Sequence, residues 1–196
     1  MVCTYTAMGF WGEAMLDQHA LQQFSDDLCR LAAEVKSSTI DSAYALSIPF
    51  ADVLAGFPDA SMTQLQHWVA GAQKESQYIY QFSVDDASSA DGLLQAFKKA
   101  KAQKKNGRAY ARSHRASTVL YVGSSGSLMA RLRQHLGYGP KGTYSMQLCH
   151  WLPSTHGSLN IKIWRFPAGM NRTVIQAIED GYWSQQQPMF GRQGAR

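Results

Sequence analysis

The chain is predicted to fold as an α+β protein, with a small three-stranded, mainly antiparallel sheet flanked by helices and preceded by a small helical N-terminal module. Three runs, at 78–84, 118–123 and 159–166, carry β-branched and aromatic residues and end at turn signals. Between and after them lie segments of helical length with apolar residues three and four apart. The order strand, strand, helix, helix, strand, helix gives an α+β domain.

Residues 12–35 read as a helix, with Leu16, Leu21, Phe24, Leu28, Leu31 and Ala32 at helical spacing. The apolar stretch 42–57 is expected to be a second helix stopped by Gly56. Ser61-Met62-Thr63-Gln64 has the form of a capping box and opens a third, to about Ala72. In 78–84, Tyr78, Tyr80, Phe82 and Val84 share one face of a strand. The polar segment 85–117 follows as a basic insertion, with a helix expected over 93–105 and a break at Asn106-Gly107. After the strand at 118–123 and a Ser/Gly turn, residues 128–136 form a helix closed by Gly137 in a left-handed position. A helix is expected over 143–152 and a strand over 159–166. Asn171 caps a last helix, which runs to about Gln187 and stops at Pro188. The chain thus divides into an acidic helical module, 1–73, and a second domain, 74–196.

With 45% hydrophobic and 17% charged residues among 196, the composition is that of a soluble globular protein. No apolar run approaches the roughly 20 residues that span a bilayer. The first residues carry Glu13 and Asp17 instead of the basic start of a signal peptide. Cys3, Cys29 and Cys149 have no close pairing and read as free thiols, so a zinc knuckle is not expected and the cytoplasm is the expected compartment. The net charge of +5 hides a partition: residues 1–75 sum to −6 and residues 76–196 to +11. Such asymmetry points to a polyanion partner for the basic part. Lys98, Lys99, Lys101, Lys104, Lys105, Arg108, Arg112 and Arg115 crowd into 98–115 without one acidic residue, and Lys162 and Arg165 extend the basic surface. These are the expected phosphate contacts of a nucleic-acid partner.

From Gly92 to Ile178 there is no Asp or Glu; then Glu179 appears. On the last helix Val174, Ile175, Ile178, Tyr182 and Trp183 fill an apolar arc, and Glu179 falls inside it with no lysine or arginine three or four positions away. A carboxylate placed so is costly unless a metal ion or a cation from another element compensates it. Arg131 would serve; with His135, four residues on, it shares a face beside the core stripe Leu128, Leu132 and Leu136. Arginine's planar fork suits phosphate. One carboxylate is too few for calcium but enough for Mg²⁺, which keeps its waters and takes substrate phosphate oxygens. His135, at an ordinary pKa, could orient or relay a proton. Tyr80 or Tyr121 could act as a base only with a metal or cation near.

Together these residues are similar to the GIY-YIG nuclease superfamily, over about residues 76–196. Tyr121-Val122-Gly123-Ser124-Ser125 matches the second signature, with Arg131 ten residues after the tyrosine and His135 at the offset of restriction-type members. Glu179 precedes Pro188-Met189-Phe190, as the family's glutamate precedes its Pro-x-aromatic. Tyr78-Ile79-Tyr80 stands where Gly-Ile-Tyr is expected, and Gly191 where many members have asparagine. The resemblance implies a DNA endonuclease dependent on Mg²⁺ or Mn²⁺. Glu179 would hold the metal, Arg131 would stabilise the transferring phosphoryl group, and Tyr80 or Tyr121 would help deprotonate water. A non-cutting nucleic-acid-binding protein of the same fold is the alternative. A second copy of the chain and a protein partner for the acidic module are further candidates for binding.

Overall fold

A computed structural model describes residues 16–153 and 156–194. Among them are six α-helices and a four-stranded sheet. In chain order these are α1 (Gln18–Ser37), β1 (Ser42–Pro49), α2 (Phe50–Ala55), α3 (Asp59–Ala70), β2 (Gln77–Ser83), α4 (Ala90–Ala102), β3 (Val119–Ser125), α5 (Leu128–Leu136), β4 (Ser158–Phe166) and α6 (Arg172–Gln186). The sheet is antiparallel throughout, in the order β1-β4-β2-β3. The protein is α+β, with one strand more than the sequence led us to expect.

The extra strand comes from the front segment. Residues 42–57, expected as a helix, are instead β1 followed by the short α2, which Gly56 does end. The alternation of Tyr44, Leu46 and Ile48 with small residues is a strand period, and it places Tyr44 opposite Ile163 and Ile48 opposite Leu159 on β4. The alanine content of the stretch disguised that period. The capping box at Ser61 is also absent: α3 begins two residues earlier, and Met62 N–H donates to Pro58 O at 3.1 Å. Residues 143–152 form no α-helix. Ser145, Met146, Gln147 and Leu148 are all buried in succession, which no one-faced helix allows. Gln147 is left-handed (φ 57°), its amide reaches Ala109 O and Thr143 O, and one 3-10 turn follows at Leu148–His150.

The other elements stand close to expectation. Asp17 caps α1 through Ala20 N–H, and the expected start at residue 12 lies outside the described residues. Asn171 caps α6 through Thr173 N–H at 2.9 Å. Gly137 closes α5 at φ 103°. No helix among the described residues is long and apolar enough to cross a membrane. Cys29 and Cys149 are free thiols, and Cys3 lies outside the described residues.

The sheet separates two cores. Tyr78, Tyr80 and Phe82 of β2, Tyr121 of β3 and Ile161 and Ile163 of β4 face the larger one, with Leu132 and Leu136 of α5. Ile79, Trp164 and Phe166 face Ile175, Ile178 and Tyr182 of α6 on the other side. The outer edge of β3 is covered by the chain's end: Met189 and Phe190 N–H groups donate to Val119 O and Leu120 O at 2.8 and 2.9 Å. That protects an otherwise open edge. Phe190, fully buried, packs its ring 4.2 Å from Phe97 of α4. The basic insertion is thereby fixed beside β3.

Candidate active site

β3 is the axis of the site. Alternation sends Tyr121 and Gly123 to the face of α5, and Ser124 to the face of α6. Pairing sets Gly123 opposite Tyr80 on β2. Gly123 has no side chain because there is no room for one: a Cβ there would lie 2.7 Å from Tyr121 Cε1 and 2.8 Å from the Tyr80 hydroxyl. The two tyrosine rings stack in parallel, 10° apart in plane, across that gap. Gly191, at φ 100°, presses its backbone against the far side of the Tyr121 ring; its Cβ would stand 2.8 Å from Cε2.

From α5, Leu128, Leu132 and Leu136 are buried as the spacing predicts. His135 is fully buried as well, its ring centroid 4.1 Å from that of Tyr121. Its Nδ1 lies 3.5 Å from Met146 N–H, so it accepts there and Nε2 carries the proton toward the Tyr80 oxygen at 3.3 Å. Burial, and then the Arg131 charge, hold His135 well below the usual histidine range. The expectation of an ordinary pKa is thus corrected: His135 is a neutral donor that orients Tyr80. Arg131 stands at the rim, donating to Gln134 Oε1 at 2.8 Å and to the Tyr121 hydroxyl at 3.4 Å.

Both tyrosines receive donors that favour a phenolate, yet burial outweighs them. It raises Tyr80 well above the ordinary value, and raises Tyr121 too, in each case against Arg131. Without further positive charge, both are neutral hydroxyls.

Glu179 approaches from α6 and is 6% exposed. It accepts from the Ser124 hydroxyl at 2.5 Å and makes no ion pair with Arg131. Burial pushes its carboxyl pKa up, opposed by Ser124 and, more weakly, by Arg131. Asp180 turns away and binds Gln176 and the Gly194 N–H. The structure therefore brings Tyr80, Tyr121, Arg131 and His135 into mutual contact and sets Glu179 at the same strand. Sequence reading missed Ser124 and the steric part of Gly123, although both stand inside the quoted Tyr-Val-Gly-Ser-Ser run.

The cations divide. Lys98, Lys99, Lys101, Lys104, Lys105, Arg112, Arg115 and Lys162 are exposed, although Lys101 Nζ also donates to Ala111 O at 2.8 Å. Arg108 is half-buried and braces the loop through Gly139 O and Gln147 Oε1. Arg165 lies over the Trp68 ring at 5.0 Å, on the face opposite Lys162. These two arginines are engaged inside the protein. Tyr78, where the resemblance expects glycine, packs 5.9 Å from the same tryptophan.

His135 makes stability pH-dependent. Its folded pKa lies below the unfolded value of about 6.5, so the unfolded chain binds the proton first as pH falls. The stability is full above about 6.5 and drains as pH drops towards the folded pKa, at up to about 1.4 kcal/mol per unit. Thermal melts between pH 7.5 and 5 should therefore fall more steeply for the wild type than for His135→Gln; equal slopes would refute this.

The chain matches no protein-family model, no curated protein and no solved structure.

Proposed function

We propose that the chain is a DNA endonuclease dependent on a divalent metal ion. The observation that carries this is an uncancelled charge pair. Arg131 and Glu179 bear on the same two tyrosines, yet make no ion pair with each other. A purely structural pair would have closed to offset the cost of burying the Glu179 carboxylate.

The donor set suits a hard cation. Glu179 offers a buried carboxylate with Oε2 engaged by Ser124, and no cluster of three His, Cys, Asp or Glu competes among the described residues. Mg²⁺ or Mn²⁺ accepts one such ligand and completes its sphere with water and phosphate oxygen. When bound, the ion supplies Lewis-acid polarisation of the phosphoryl group and a more acidic water. The chain's own residues do the remainder. Ser124 holds the Glu179 carboxylate in place. Arg131 offers its fork to the charge that grows on the phosphoryl oxygens. His135 and Arg131 donate to Tyr80 and Tyr121, leaving each hydroxyl to orient the attacking water. The exposed lysines of α4 and its following turn meet the phosphate backbone without regard to sequence.

A supercoiled plasmid incubated with Mg²⁺ should be nicked, EDTA should stop the reaction, and Arg131→Ala should slow it by about 10²- to 10³-fold without lowering Tm. Cleavage that ignores EDTA, or undiminished cleavage by Arg131→Ala, would overturn the assignment. The raised pKa of both tyrosines favours one second reading, a nucleic-acid-binding protein that does not cut. It predicts retained DNA binding with no nicking in either metal.

A further inference from the structure

A groove of about 520 Å³ opens beside the candidate site, lined by His114, Arg115, Trp183, Ser184, Gln187 and Pro188. Trp183 stands one helical turn beyond Glu179, a rise of about 6 Å along α6. Its indole N–H is shielded from solvent and meets no acceptor among the described residues. His114 props the ring edge-on at 5.4 Å and places Nε2 2.7 Å from Gly191 O. Since Gly191 rests on Tyr121, one wall of the groove is tied to each half of the site. Arg115 is exposed and forms no hydrogen bond or ion pair among the described residues.

An aromatic ring and an uncommitted guanidinium are the complements of a base face and a phosphate. We propose that this groove is a subsite for an unpaired nucleotide of the DNA strand, flanking the phosphate held at Arg131 and Glu179. The base lies against Trp183 and Arg115 takes the adjoining phosphate. A base still stacked in a duplex offers its edge and not its face, so the subsite selects strands that are single or frayed at this position. The inference rests on the nucleic-acid reading of the neighbouring site.

The test uses Glu179→Gln protein, titrated with single-stranded oligothymidylate of about ten nucleotides, a length within the range of such sites. Tryptophan fluorescence should be quenched, and the quench should vanish when Trp183→Phe is added, since Trp11, Trp68, Trp151 and Trp164 remain as background. Trp183→Leu should weaken binding about tenfold or more. Arg115→Ala, an exposed change that leaves folding intact, should lower the slope of log affinity against log salt by about one. A quench that survives Trp183→Phe, or binding unaltered in both other variants, overturns the subsite. If the wild type still cuts with Mg²⁺ in that case, the nuclease reading stands alone. Trp183-dependent quenching in a protein that never cuts would instead remove the nuclease reading and keep the subsite.

Discussion

Glu179→Gln should abolish metal-dependent cleavage, by about 10³-fold or more, while leaving the protein at least as stable as the wild type at pH 7. The two halves of this result have one cause. The carboxyl is buried and its pKa raised, so the folded state binds a proton more readily there than the unfolded chain does. Ionisation at neutral pH therefore opposes folding, and the opposition fades as pH falls through the folded pKa. Glutamine is neutral at every pH and can still accept from the Ser124 hydroxyl. Its Tm advantage should be present at pH 7 and shrink towards pH 4. Mg²⁺ should raise the Tm of the wild type and not of the variant, since only a ligand bound by the folded state stabilises it. A variant that cuts as well as the wild type, or a Tm several degrees lower at pH 7, would contradict the role given to Glu179.

Gly123→Ala should disable the site through sterics alone. The new methyl would sit 2.7 Å from Tyr121 Cε1 and 2.8 Å from the Tyr80 hydroxyl, closer than real carbon contacts fall. No backbone atom is among these neighbours, so the strand can persist while the rings must move. Overpacking of this kind costs about 1–3 kcal/mol. Displacing the tyrosines by about 1 Å should lower cleavage about 10²-fold. Circular dichroism would show a folded protein with a reduced Tm. Adding Tyr80→Phe removes one of the two close contacts and should recover part of the lost stability. Wild-type Tm and cleavage in Gly123→Ala would show that the tyrosine pair is not held as described.

The two glycines against Tyr121 illustrate what sequence can and cannot convey. Gly123 sits inside a recognisable run, and its need for a small residue follows once β2 and β3 pair. Gly191 departs from the expected asparagine, and nothing local explains it. Only the return of the chain's end onto β3, 70 residues from Tyr121, shows that its left-handed backbone lies flat on the ring. The same holds for His135. Its spacing from Arg131 was plain, but its depth beneath the tyrosines, and so its neutrality, came from packing.

By itself the sequence determined the parts whose signals are local. Alternation marked β2, β-branched and aromatic runs ended by turn signals marked β3 and β4, four-residue spacing marked α5, Asn171 and Gly137 marked helix ends, and an apolar arc marked α6 and isolated Glu179. The tertiary structure decided what depends on distant partners. It made Ser42–Pro49 an edge strand because β4 was there to pair with, and denied residues 143–152 a helix because both sides of that segment are buried. It also set Ser124 on Glu179 across 55 residues. Hydrogen-bonding and packing partners outside a segment outweigh its intrinsic preference, and no reading of that segment alone contains them.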